Sequence, residues 1–236
     1  MTDTPTAVAI IPIRGSDNEV GYGHMLKLGG KPLLSFTVEA AAQSRFIKRI
    51  IVSTDDPGVA ELAVRLGAEA PFLRPAELCA PGVALAGVLQ HALKWLEEQD
   101  GYHPDLVVLL EITHPLRPPG LIDRVVEVLS QEGLDSAFAA REERHEFWTF
   151  GSGGALERVQ PKDEVPRHIL QPLYKEMGGM VTVMRAQLTR AGRRLGDRIG
   201  LVPVRDVSSV LDLHDEDGLR LAEALLPDPT SSRAAE

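Results

Sequence analysis

Basic residues, cysteine and long apolar runs are all scarce in this sequence. Its 25 lysines and arginines are outnumbered by 34 aspartates and glutamates, and a formal net charge of −9 argues against a general DNA- or RNA-binding protein. Cys79 is the only cysteine, which excludes an intramolecular disulfide framework and a cysteine metal cluster. No apolar run approaches the roughly 18 residues of a membrane span, and the first residues lack the pattern of a signal peptide. We therefore expect a cytoplasmic protein that contacts neither nucleic acid nor membrane.

The length and the apolar content suit one domain. A chain of 236 residues with 44% hydrophobic residues can bury a sizeable core. We predict a single domain over residues 1–226, in which residues 141–178 form an inserted arm with little periodicity. The stretch 227–236 is predicted to be a disordered tail.

Short apolar runs alternate along the chain with segments of helical spacing. Runs such as Val8–Ile13 and Asp105–Leu110 are typical of strands buried on both faces. The alternation predicts a mainly parallel sheet covered by helices on both sides. A hairpin with a glycine turn is predicted over residues 147–159. Further strands are predicted over Arg49–Ser53, Ala70–Leu73, Asp135–Ala140, Met180–Met184 and Gly200–Val204, and helices over Pro57–Leu66, Leu85–Gln99, Pro119–Gln131 and Asp215–Leu226.

Polar residues follow three of the predicted strands directly. They are Arg14-Gly15, Thr54-Asp55-Asp56 and Glu111-Ile112-Thr113-His114, and one of the two aspartates is the predicted N-cap of the next helix. Ligands bind beyond the carboxyl ends of parallel strands, so we expect these segments to converge on one crevice. The glycine-rich loop after Arg14 could hold a phosphate there, although such a loop is also typical of a flexible turn.

Five short motifs follow one another along the chain: Ile11–Gly15, Gly30–Leu33, Ile51–Asp55, Pro71–Leu78 and Thr113–Arg117. Together they resemble the acylneuraminate cytidylyltransferases, the CMP-sialic acid synthetases. The resemblance implies a Rossmann-like three-layer α/β/α nucleotidyltransferase fold with a mainly parallel sheet, and a homodimer joined by the inserted arm. It also implies an enzyme that transfers CMP from CTP to the anomeric hydroxyl of a sialic or other nonulosonic acid and releases pyrophosphate, usually with Mg²⁺.

The resemblance places the nucleotide on the first strands. Arg14 matches an arginine that contacts the triphosphate, and Arg74 matches one that helps to hold the nucleotide. Nucleotidyl transfer requires cations around the phosphates, which Lys27 and Lys31 could also supply. The predicted nucleotide-binding residues are Arg14, Gly15, Ser16, Lys27, Arg74, Glu111 and Thr113.

Three residues are predicted to be catalytic: Arg14, Lys31 and His114. Arg14 could instead form a surface ion pair, and Lys31 could be a solvated lysine at the start of a helix. His114 could hydrogen-bond the acceptor or act as a general base, because its unperturbed pKa lies near 6.5. A structural contact within its own loop is an equal alternative.

The acceptor is expected to lie against the arm. Arg167 and Tyr174 match an arginine and a tyrosine of the family's arm motif, and the guanidinium fork suits an oxyanion. The predicted acceptor-binding residues are Arg167, His168, Gln171 and Tyr174. Packing within the arm or a contact between subunits is the alternative for Tyr174.

A metal site is predicted near the last helix, at Asp212 and His214. Asp212 matches the first aspartate of an Asp-x-Asp metal pair, and Mg²⁺ prefers carboxylate oxygen, although Asp212 could also be an N-cap or turn residue before the last helix, as could Asp215. His214 replaces the second aspartate, and a nitrogen ligand suits softer ions. Asp212 could therefore hold the metal with another partner, and His214 could contact the acceptor or be a turn residue.

Several positions depart from the family pattern. The two lysines of the family's phosphate loop are replaced by Asn18 and Gly23, and Asp17 and Glu19 would repel a triphosphate. Met177 replaces an asparagine of the arm motif. Two alternatives therefore stay open: CMP activation of a different small acid, such as a phosphonoformate-like phosphonate, and a non-catalytic relative that binds a nucleotide or a partner protein.

Overall fold

A seven-stranded sheet forms the centre of the protein, in a computed structural model that describes residues 4–15, 27–160, 166–207, 211–213 and 216–226. The strands among these residues are β1 (Ala7–Pro12), β2 (Lys27–Leu28), β3 (Lys31–Pro32), β4 (Ile47–Ser53), β5 (Leu106–Leu109), β6 (Ser136–Glu143), β7 (Phe147–Phe150), β8 (Leu156–Gln160), β9 (Leu173–Glu176), β10 (Thr182–Arg185) and β11 (Ile199–Pro203). The order in the sheet is β11-β6-β10-β5-β1-β4, with β9 paired to β6. β9 and β10 run antiparallel to their neighbours, and the other pairs are parallel.

Helices cover both faces of this sheet. The described helices are α1 (Leu33–Ala42), α2 (Pro57–Arg65), α3 (Leu85–Gln99), α4 (Leu121–Gln131), α5 (Ala186–Arg190) and α6 (Glu216–Leu225). α1, α2 and α4 pack on the face that carries Ala9 and Ile11, and α3 and α5 pack on the face that carries Val8 and Ile10. All four of these β1 side chains are fully buried, which explains the unbroken apolar run. The predicted three-layer α/β/α fold is confirmed.

Local signals fixed most element boundaries. α3 has the predicted bounds, and α2 starts beside Asp56, whose Oδ1 accepts the N–H groups of Gly58 at 2.6 Å and Val59 at 3.1 Å. None of the described helices is long and apolar enough to cross a membrane.

The strand predicted over Ala70–Leu73 is wrong. This segment makes isolated bridges through Glu69 and Leu73 to β4 and its end. Pro71 lies between the two bridges, and its missing N–H interrupts a strand ladder.

The arm (residues 141–178) begins where β6 runs past its pairing with β10. The carboxyl half of β6 pairs with β9 from Ala140 to Glu143, and the predicted hairpin is present as β7 and β8. Four apolar side chains of the hairpin are at least half exposed: Trp148, Phe150, Leu156 and Val159.

A third apolar cluster lies outside the two faces of the sheet. Leu211 and Leu213, which precede α6, are buried against Leu28 and Leu33, together with Ala222 of α6. This C-terminal cluster therefore joins the end of the described chain to the β2–β3 hairpin, which follows the glycine-rich loop.

Candidate active site

The carboxyl ends of β1, β4 and β5 lie side by side. β1 is the middle strand, with Pro12 paired to Ser53 of β4 and Ile10 paired to Leu109 of β5. The ladder continues by one bond, because the Ile13 N–H donates to the Ser53 carbonyl at 3.0 Å. The predicted convergence of the three polar segments is therefore confirmed, and Arg14 follows at this edge with a partly exposed side chain.

The start of the glycine-rich loop is fixed by the end of β4. The Gly15 N–H donates to Asp55 Oδ1 at 2.8 Å, a contact that the sequence analysis missed. A Cβ atom at Gly15 would lie 2.7 Å from the Cβ of Asp56, so no larger residue fits. Ser16 belongs to residues 16–26, outside the described part of the chain. Asp55 therefore directs the chain as it leaves Arg14.

Arg74 lies beneath this edge rather than on its surface. Its side chain is buried, and its guanidinium donates to Ser53 Oγ at 3.2 Å, to the Ile13 carbonyl at 3.0 Å and to the Ser53 carbonyl. These bonds tie the ends of β1 and β4 together. The predicted contact of Arg74 with a nucleotide stays a prediction.

The loop after β5 brings His114 and Asp212 together. His114 is 5% exposed, and its Nδ1 lies 3.0 Å from Thr113 Oγ1. Its Nε2 lies 3.7 Å from Asp212 Oδ1. The Leu213 N–H donates to the Thr113 carbonyl at 2.9 Å, so the segment that carries Asp212 is bonded to this loop. Leu211 and Leu213 are buried, whereas the side chain of Asp212 between them is 31% exposed.

A single, partly exposed carboxylate is a ligand of the kind that Mg²⁺ takes in nucleotide sites. Mg²⁺ keeps several waters and is usually held by one or two carboxylates together with substrate phosphates. Asp212 supplies one such carboxylate. The described residues contain no group of three or more His, Cys, Asp or Glu that could hold a metal ion unaided. His214, the other predicted ligand, lies outside the described residues.

Glu111 is packed against the turn at the base of the arm. Its N–H donates to the Gly179 carbonyl at 2.7 Å, and a Cβ at Gly179 would lie 2.8 Å from the Glu111 Cδ. Glycine at this position therefore lets the turn approach the carboxylate.

A buried guanidinium, Arg117, joins the same contact. It donates to the Glu111 and Gly179 carbonyls from one nitrogen. Burial lowers the pKa of Arg117 to about 9, and the charge of Glu111 opposes this shift. Arg117 ends one of the five motifs that resemble the family, and the motif by itself assigns it no role. A signal was present, because a buried loop rich in proline requires donors for its carbonyls.

The predicted lysines lie on the hairpin by which the loop returns to α1. Lys27 on β2 and Lys31 on β3 are both exposed. Lys31 Nζ lies 3.9 Å from Glu39 Oε1, and such an exposed ion pair holds a side chain weakly. The contacts of both lysines with phosphates stay predictions.

The predicted acceptor residues lie along the arm. Tyr174 is 43% exposed on β9, while His168 and Gln171 are also exposed. The backbone of Arg167 lies in a short 3₁₀ turn. β9 leads directly into the turn that contacts Glu111, so the arm and the strand ends meet at one place. The contacts of these residues with an acceptor stay predictions.

The family model for cytidylyltransferases matches residues 8–150. The chain belongs to the cytidylyltransferase family. The matched segment contains Arg14, Arg74, Glu111 and His114, and the family predicted from the sequence motifs is confirmed.

Two curated relatives resemble the chain over part of its length. A pseudaminic acid cytidylyltransferase of Campylobacter jejuni is 31% identical over 57% of this chain and 58% of its own. A CMP-N,N'-diacetyllegionaminic acid synthase of Legionella pneumophila is 34% identical over 51% of this chain and 52% of its own. The alignments thus span little more than half of these relatives.

A solved structure extends the comparison to the fold. A CMP:2-keto-3-deoxy-manno-octonic acid synthetase complexed with CTP superposes with a TM-score of 0.65, covering 93% of this chain and 98% of its own. The two sequences are 16% identical, so the likeness concerns the fold alone.

Proposed function

We propose that the chain is an enzyme that transfers CMP from CTP to the anomeric hydroxyl of a nonulosonic acid and releases pyrophosphate. The observation that supports this most is that Arg14 and the Glu111–His114 loop follow neighbouring strands at the same edge of the sheet, with Asp212 3.7 Å from His114. The relatives named above are named for CMP transfer to two such acids, pseudaminic and diacetyllegionaminic acid.

In this reaction the acceptor hydroxyl attacks the α-phosphorus of CTP. The new bond joins the acceptor oxygen to that phosphorus, and the bond from phosphorus to the bridging oxygen of pyrophosphate breaks. Negative charge grows on the departing pyrophosphate, and a cation beside it lowers the barrier. Arg14 is the residue that we assign to this task.

Mg²⁺ is the proposed metal, with Asp212 as its protein ligand. When bound, it would neutralise charge on the phosphates. His114 lies between Thr113 and Asp212 and is almost completely buried, which favours a role in orienting Asp212 over direct contact with the acceptor. The hydroxyl proton would then leave to solvent or to the acceptor's own carboxylate.

A thermal-shift screen tests the nucleotide part of this proposal. We expect CTP with Mg²⁺ to raise the unfolding midpoint by about 5 to 10 °C at 100 times its dissociation constant, because ligand binding then adds about 2.7 kcal/mol to stability. ATP, GTP and UTP at equal concentration serve as matched controls, each with and without Mg²⁺. No shift with any nucleotide would contradict the proposal and would favour a non-catalytic relative that binds a partner protein.

The acceptor requires a separate assay of pyrophosphate release. We propose pseudaminic acid and N,N'-diacetyllegionaminic acid as first substrates, with phosphonoformate as the comparison. The phosphonate alternative is not favoured by the relatives, whose names specify sugar acids. If phosphonoformate were a substrate and neither sugar acid were, the phosphonate alternative would be favoured over the nonulosonic acids.

We further propose that the arm joins two copies of the chain. Trp148 is 53% exposed and Phe150 is 73% exposed on the hairpin, an arrangement that favours burial against a partner. The molar mass measured by light scattering on elution should therefore be that of a dimer for the wild type. At micromolar concentration it should be that of a monomer for Phe150→Asp.

Val64→Asp is the matched control, because Val64 is 62% exposed on α2, away from the arm. This variant should stay dimeric. Equal masses for the wild type and Phe150→Asp would show that the hairpin is not the interface. The single-domain boundaries and the cytoplasmic location stay predictions.

A further inference from the structure

Arg117 makes four hydrogen bonds to three separate elements. Its Nε donates to the Met180 carbonyl at 2.6 Å, and its Nη1 donates to Thr37 Oγ1 at 2.9 Å. Its Nη2 donates to the Gly179 carbonyl at 3.0 Å and to the Glu111 carbonyl. One side chain thus joins the end of β5, the turn after β9 and the helix α1.

These bonds form a closed network with the backbone. The Gly179 carbonyl accepts the Glu111 N–H as well as Arg117, so Glu111 and Gly179 are joined both directly and through the guanidinium. Both carbonyls belong to buried or half-buried irregular backbone, outside the regular hydrogen-bond ladders of the strands and helices, and the Glu111 carbonyl also accepts from Thr37 Oγ1 at 3.5 Å. A lysine could keep the charge but could not reach acceptors in three directions from a planar fork.

Each element that Arg117 holds leads to a different part of the site. Glu111 begins the loop of Thr113 and His114. The Gly179 turn continues from β9, which carries Tyr174. Thr37 lies on α1, the helix that follows the Lys31 hairpin. The guanidinium therefore contributes, together with the direct Glu111–Gly179 bond, to holding the nucleotide side at a fixed distance from the base of the arm.

We propose that Arg117 is a positioning residue that aligns an acceptor on the arm with the nucleotide at the strand ends. The inference rests on the proposed CMP transfer. A change at Arg117 should act on the use of the acceptor, because Arg14 and Asp55 are fixed independently by β1 and β4. Misplacement of the reacting groups by about 1 Å can slow such a reaction about 100-fold.

The test compares Arg117→Lys with Arg185→Lys. Arg185 is the matched control, because its Nε donates to the Leu134 carbonyl at 2.8 Å at the opposite end of β10. Each variant is assayed for CTP dissociation constant by calorimetry, and for kcat and KM by pyrophosphate release with pseudaminic acid and N,N'-diacetyllegionaminic acid. Unfolding midpoints set an assay temperature at which both variants are folded.

We expect Arg117→Lys to lower kcat/KM for the acceptor at least tenfold, with the CTP dissociation constant within threefold of wild type. Arg185→Lys should leave both values within twofold. If Arg117→Lys does not fold, Thr37→Val removes one acceptor of the network in a nearly isosteric way and should lower kcat/KM at least threefold.

Two other results are distinguishable. A folded Arg117→Lys or Thr37→Val with wild-type kcat/KM would overturn the positioning role and leave CMP transfer intact. A wild-type protein that neither binds CTP nor releases pyrophosphate would overturn the proposed function, and the positioning role with it.

Discussion

Asp212→Asn should lower kcat for CMP transfer about 100-fold at saturating Mg²⁺ and CTP. A metal that neutralises phosphate charge contributes several kcal/mol to the transition state, and each 1.36 kcal/mol changes the rate tenfold. Asparagine has nearly the same shape and keeps an oxygen, but its charge is lost. The measurement is the rate of pyrophosphate release as a function of Mg²⁺ concentration, and the half-saturating Mg²⁺ concentration should rise.

Asp197→Asn is the control, because Asp197 is 89% exposed and pairs with Arg193 on the surface. It should change neither rate nor Mg²⁺ dependence. A wild-type Mg²⁺ response in Asp212→Asn would remove Asp212 from the metal site and favour a structural role beside His114 in the segment before α6.

Arg14→Ala should lower turnover at least tenfold while the fold is retained. The hydrogen bonds of a guanidinium to phosphate are worth about 1.5–3 kcal/mol each, and Arg14 follows β1 at the edge where the phosphates are proposed to lie. The side chain is partly exposed, so its removal should leave the unfolding midpoint nearly unchanged. Steady-state kinetics with varied CTP provide the measurement.

Arg65→Ala is the control that tests whether the loss of any partly exposed arginine lowers turnover. Arg65 ends α2 and forms an exposed ion pair with Glu61, so its removal should leave turnover unchanged. If Arg14→Ala has wild-type kinetics, Arg14 belongs to the surface and not to the site.

The fold could be predicted because local patterns carry it. The apolar run of β1 and the helical spacing of α3 can be recognised from adjacent residues. The predicted bounds of both elements agree with the structure to within one residue. The strand predicted over Ala70–Leu73 does not form, although the segment is apolar, because Pro71 has no N–H to donate to a strand ladder. β6 extends beyond its predicted end at Ala140, because its last residues are polar and pair with β9 outside the core.

The roles of the arginines could not be predicted in the same way. Arg74 and Arg117 are both buried, and they hold carbonyls that come from distant parts of the sequence. A motif shows that an arginine is present, but the burial of its guanidinium depends on the packing of several elements. The contact of His114 with Asp212 is likewise a product of the C-terminal cluster, which joins residues nearly the whole chain apart.

The C-terminal cluster determines when, during synthesis of the chain, the candidate site becomes complete. The protein is synthesised from its N-terminus, and every strand of the central sheet precedes Leu211. When the nascent chain has left the ribosome only as far as β11, Leu28 and Leu33 still lack their apolar cover and Asp212 is absent. On the proposed function, a polypeptide interrupted at that point would lack the proposed metal ligand, so catalysis starts only after residues 211–226 have been translated.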